Sequence, residues 1–156
     1  MSDQMKTFWK VELIWWALGF VLLAVIMFPI YSNFEHFPFL FQNAVFILVF
    51  FHFARMAFLW KYNPFQRNLV FKLIIIFTMI PLCVLLMDGL NEFQYFLDEQ
   101  GVESLLPNLP LKEKLALGQY IQSEMFFFGV GSVIATVTVT FRLIISIWRV
   151  KNTDRV

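Results

Sequence analysis

Four long stretches of this chain are apolar at nearly every position, and polar residues gather between them. Residues 13–34 form the first, 22 positions without a formal charge. At about 1.5 Å per residue, a helix of that length exceeds a hydrocarbon core of roughly 30 Å. The second covers residues 37–60, with Pro38 expected in the first helical turn, where a missing N–H costs little, and Arg55 as its only formal charge. Asn63 and Pro64 then supply a tight turn. The third covers residues 69–90 and holds Lys72 and Asp88 near its ends. Inside it, Pro81 removes a donor to the Phe77 carbonyl and predicts a kink, a candidate hinge, with Thr78 placed to help satisfy that carbonyl. The fourth covers residues 125–148 and is interrupted only by Arg142. The pattern predicts an all-α integral membrane protein, a single four-helix transmembrane domain over residues 1–156.

One sizeable piece lies between the spans, the 35 residues 89–123. It is too short for an independent domain. Leu90, Phe93, Tyr95, Phe96 and Leu97 beside Asp98 and Glu99 suggest a short amphipathic helix lying on the membrane interface and ended by Gly101. Pro107 and Pro110 break the chain, after which Leu111, Leu115 and Ile121 at helical spacing suggest a second helix running on into the fourth span, with Gly118 as its weak point.

Composition excludes a water-soluble body. Of 156 residues, 60% are hydrophobic and 15% charged, against about 25% charged in a typical soluble domain. The single cysteine, Cys83, permits no intrachain disulfide, Cys-x-x-Cys redox pair or thiolate zinc site. His36 and His52, the only histidines, are not placed to clamp one haem between them. The sequence has no Walker loop, Gly-x-Gly-x-x-Gly, His-Glu-x-x-His or Gly-x-Ser-x-Gly motif, so no reaction and no cofactor is indicated. Basic residues do not cluster with aromatics on a soluble face, which gives nucleic-acid binding no support.

Charge is distributed unevenly between the two ends of the spans. With both termini cytoplasmic, ten of the twelve cations lie inside, together with Asp3, Glu12 and Asp154. The outer side then receives Lys112 and Lys114 with eight acids: Glu35, Asp88, Glu92, Asp98, Glu99, Glu103, Glu113 and Glu124. This positive-inside bias predicts an N-in, C-in arrangement, for which a bacterial inner membrane is the default setting. Trp9, Trp15, Trp16, Trp60 and Trp148 fall at or near the inner ends, as interfacial anchors do.

Counted along the helices, Glu12, His52, Arg55, Lys72 and Arg142 share one depth near the inner side. The ordinary reading is that each cation snorkels to the headgroups while Glu12 pairs with whichever is nearest. The functional reading is an intramembrane pocket for a lipid phosphate or another anion, with His52 and Arg55 three residues apart on one helix face. At the other end, Asp88 and Glu92 are four apart and offer oxygen ligands, but they match no metal signature, and the acids there read as solvated interfacial groups. The fourth span carries Gly129, Gly131, Ser132, Ala135 and Thr136, small residues that let another helix approach, with hydroxyls able to bond across the contact. Such a face packs either within its own bundle or against a homo-oligomer or a partner membrane protein. The expected role is an accessory or interaction subunit of a membrane complex; the alternative is an oligomeric lipid- or anion-binding or ion-handling protein using the basic cluster. Membrane lipids are partners under either reading.

Overall fold

A computed structural model describes residues 3–34, 37–59, 69–105 and 109–153. It is all-helical: α1 (Asp3–Asn33), α2 (Leu40–Phe58), α3 (Leu69–Glu99), a 3₁₀ turn (Val102–Leu105) and α4 (Leu111–Thr153). All four α-helices are long and apolar enough to cross a membrane. Their exposed surface has the character of a lipid-facing wall. Phe77 is 71% exposed and Phe141 62%, and large apolar side chains stand out on every helix, far beyond the few hundred Å² of contiguous apolar patch that a soluble monomer tolerates.

The helices alternate in direction. Glu12 of α1 meets Arg55 of α2, and Gly19 lies against His52. The α2 and α4 helices run parallel, with Asn43 beside Glu124, Phe50 beside Phe128 and Ala57 beside Arg142. Against α4, α3 is antiparallel, placing Leu90 at Gly129 and Lys72 at Ser146. The start of α1 and the end of α4 thus share one end of the bundle, called the terminal end below; the opposite end, where α3 passes into α4, is the head. The main core, with Ile30, Phe46, Leu86, Phe93, Ile121 and Met125 at its centre, lies toward the head, and a smaller one around Met56, Met79, Val139 and Leu143 lies toward the terminal end.

Several element boundaries differ from those read in the sequence. α2 begins at Leu40, because residues 37–40 form a turn in which the Leu40 N–H donates to the Phe37 carbonyl at 3.2 Å. Pro38 disfavours a helical Phe37 and so precedes the helix instead of opening it. At 19 residues α2 is the shortest of the four, about 28 Å long, just enough to cross. The predicted interfacial helix is absent as a separate element. α3 continues unbroken for 31 residues through Phe93, Phe96 and Leu97, and α4 starts directly after Pro110 and runs for 43, about 65 Å. The two extensions pack together as the head, burying Phe93, Val102 and Ile121. Gly101, at φ +69°, ends α3 in the left-handed region that glycine adopts without penalty; its N–H returns to the Phe96 carbonyl at 3.2 Å. α4 passes through Gly118 without interruption. The expected Asn63-Pro64 turn, Trp60, Glu35, His36 and Pro107 lie outside the described residues.

Two prolines sit inside helices, Pro29 in α1 and Pro81 in α3. Thr78 does not serve the Phe77 carbonyl that Pro81 leaves without its usual donor; its hydroxyl donates to the Ile74 carbonyl at 2.9 Å, the ordinary i−4 acceptor. Near Pro29, which the hydropathy pattern did not single out, the side chains of Ser32 and Asn33 donate to the Pro29 carbonyl at 3.2 and 2.8 Å and close the last turn of α1.

Candidate functional site

The polar side chains predicted to share a depth fall into two groups at the terminal end. In the first, the Arg55 guanidinium donates two parallel bonds to the Glu12 carboxylate, both at 2.9 Å, with each side chain 13% exposed. The fork-on-carboxylate geometry is the strongest an ion pair adopts. The guanidinium carbon also stands 5.6 Å from the Trp15 ring centre, so the cation has an aromatic face beside it. One turn away, His52 is buried and stacks against Trp16 at 4.1 Å. Gly19 makes this possible, since a Cβ there would come within 2.9 Å of the His52 Nε2. Trp15 also meets Phe51 at 5.9 Å, so Trp15 and Trp16 join α1 to α2.

The second group joins α2, α3 and α4. Lys72 is almost fully buried and its ammonium donates to the Ser146 hydroxyl at 2.8 Å. Arg142, one turn before Ser146 on α4, donates to the Ala57 carbonyl in the last turn of α2. A cation there meets the negative end of the α2 dipole. Among the described residues no hydrogen bond or ion pair links Glu12, His52 or Arg55 to Lys72 or Arg142.

A further polar pair lies toward the head, and the sequence reading passed over it. Asn43 is fully buried and donates to the Glu124 carboxylate at 2.8 Å; Glu124 itself is 6% exposed. Glu124 is therefore not a solvated acid of the outer interface. It stands one residue before the fourth apolar run, and helix continuity turns it inward beside Ile121 and Met125. The sequence does hold a signal for it: Asn43 is an amide in the apolar first half of α2, and such a group, once buried, needs a partner. Nearby, the Tyr120 hydroxyl donates to the Ile26 carbonyl at 2.7 Å and ties α4 to α1.

The small residues of α4 are occupied within the chain. A Cβ at Gly129 would come within 2.4 Å of Leu90, and one at Gly131 within 2.6 Å of the Phe50 ring. Ser132, Ala135 and Thr136 are buried in the same contact. Their hydroxyls do not cross between helices: Ser132 donates to the Gly129 carbonyl and Thr136 to the Ser132 carbonyl, each at 2.7 Å. A serine or threonine hydroxyl in a helix reaches the carbonyl three or four residues back more readily than a neighbouring helix. The face of α4 left for another chain is instead the apolar one carrying Phe127, Ile134 and Phe141.

Of the candidate oxygen ligands at the head, Glu92 accepts a hydrogen bond from Gln42 at 3.2 Å and Asp88 is exposed on the same helix. No group of three metal-ligating side chains occurs among the described residues. The head also carries a cleft of about 390 Å³ between α3, the 3₁₀ turn and α4, lined by the amides of Gln94, Gln100, Gln119 and Gln122 together with Asp98. Comparison with protein-family models, with curated proteins and with solved structures finds no match.

Proposed function

We propose that this chain is an accessory or interaction subunit of a membrane complex, embedded in a bacterial inner membrane with both termini in the cytoplasm. The observation that carries this reading is how the polar groups are divided. Those in the interior act as braces between helices, Glu12 to Arg55, Lys72 to Ser146, Asn43 to Glu124 and Tyr120 to Ile26. At the head, Gln94, Gln100, Gln119 and Gln122 with Asp98 line an open cleft beside Leu97, Val102 and Leu115; Gln94 donates to Asp98 at 3.0 Å, and the other three amides offer donors and acceptors for non-covalent recognition. Among the described residues, seven cations on the terminal side against two on the head side support the orientation. Native mass spectrometry after gentle extraction from the source membrane tests the role. A second protein retained at fixed stoichiometry is the expected result, and an 18.5 kDa chain released alone contradicts it.

One observation favours a second reading, binding of an anionic lipid at the terminal end. Lys72 and Arg142 hydrogen-bond only to neutral oxygens among the described residues, a hydroxyl and a carbonyl. Two neighbouring cations without a carboxylate suit a lipid phosphate. Under this reading Lys72→Met with Arg142→Gln strips anionic lipid from the purified protein, and equal retention in the double variant excludes it.

A further inference from the structure

The polar pair toward the head presents an excess of acceptors. Asn43 Nδ2 is spent on Glu124 Oε2, while Asn43 Oδ1 and Glu124 Oε1 are both buried and have no partner among the described residues. Their neighbours about one turn away, Phe39 just before α2, Phe46 and Ile47 on α2 and Ile121 on α4, belong to the apolar core. An ionised carboxylate there would be held by a single amide in apolar surroundings, an arrangement that proteins avoid by pairing or neutralising the charge.

Among the described residues no neighbouring group supplies the missing donor. On α4 the nearest titratable side chain is Tyr120, whose proton is directed to the Ile26 carbonyl of α1. On α3 it is Glu92, a second acid, held by Gln42 at the next position of α2. Toward this core α1 contributes the apolar Met27 and Ile30. Two orphan acceptors and no nearby cation among the described residues call for a small positive ligand. A proton fits, because it changes one carboxylate oxygen from acceptor to donor and removes the charge in the same step. A carboxylic acid and a primary amide can then donate to each other, N–H to carboxyl oxygen and O–H to amide oxygen, leaving neither orphaned.

We infer that Asn43 and Glu124 form a proton-binding site in the core of the bundle, with Glu124 carrying the proton and Asn43 receiving it in a hydrogen bond. The site joins α2 to α4 beneath the head. Release of the proton would leave a bare charge between these helices, so the contact is tight only while the proton is bound. This is independent of the proposed subunit role, since it concerns the chain's own interior.

Infrared difference spectroscopy of the full chain in liposomes, stepped from neutral to alkaline pH, tests the inference. The expected result is a protonated-carboxyl C=O band at neutral pH that disappears on alkalinisation, is missing in Glu124→Gln and is displaced in Asn43→Leu. Glu124→Gln keeps the shape and donor of the protonated acid and is expected to fold, which circular dichroism checks. Isotopic labelling of the glutamates identifies the band type in the unaltered chain, so the assignment does not rest on variants alone. Absence of any band that Glu124→Gln removes overturns the site.

Discussion

At the residue scale the Glu12–Arg55 pair decides how firmly α1 is held. α1 leaves most of its apolar side chains exposed, from Leu13 to Tyr31, so its attachment rests on a few contacts with α2 and α4. Removing one member of a largely buried pair strands the other charge, at a cost of roughly 3 kcal/mol. Arg55→Met or Glu12→Met is therefore expected to destabilise the detergent-solubilised protein by about that amount and to loosen α1 first, as read by hydrogen exchange along its backbone. Replacing both with Met removes the desolvated charges together and is expected to recover most of the loss. A double variant as unstable as the worse single variant would show that the pair contributes net attraction beyond mutual neutralisation. The sequence put both residues at one depth, because depth follows from counting along a helix. It did not choose Glu12's partner among three cations, which depends on how α1 is rotated against α2, and that rotation is set by Gly19 admitting His52.

At the element scale the glycines of α4 set the spacing of three helices. Gly129 lies against Leu90 of α3 and Phe46 of α2, and Gly131 against Phe50. Gly129→Ala is expected to cost roughly 1–3 kcal/mol by forcing Leu90 aside. Gly118→Ala is the internal control. Its Cβ would meet Val102 at an ordinary 3.9 Å, so a gain of up to about 1 kcal/mol from helix propensity is expected. Unfolding in mixed detergent micelles measures both, and equal effects at the two positions would contradict the packing described. The lengths of α3 and α4 show where hydropathy stops being informative. A run of apolar residues marks what lies in lipid, and it ends near Asp88. The helix does not end there, because Phe93, Phe96 and Leu97 still have a core to bury against, supplied by Leu117, Tyr120 and Ile121. Glu124 was misread for a different reason: the helix was expected to run past it, but its place beside Ile121 and Met125 on the buried face of α4 depends on how that helix is rotated against α2.

For the whole molecule, the apolar belt, the interior polar contacts and the polar head belong to a bundle of four helices, each long and apolar enough to cross a membrane. The spans were legible because lipid demands long uninterrupted apolar helices; the head was not, because its packing follows helix faces and not net hydropathy. Side-specific cysteine labelling tests this arrangement most directly. Cys83 is first replaced by Ser, and single cysteines are then placed at Ser104 in the 3₁₀ turn and at Asn152 near the end of α4, both exposed. With a membrane-impermeant maleimide on sealed cells or spheroplasts, the account predicts that the Ser104→Cys protein is labelled at once and the Asn152→Cys protein only after the membrane is opened. Labelling of both from the same side would contradict the crossing of α4 and, with it, the four-span bundle.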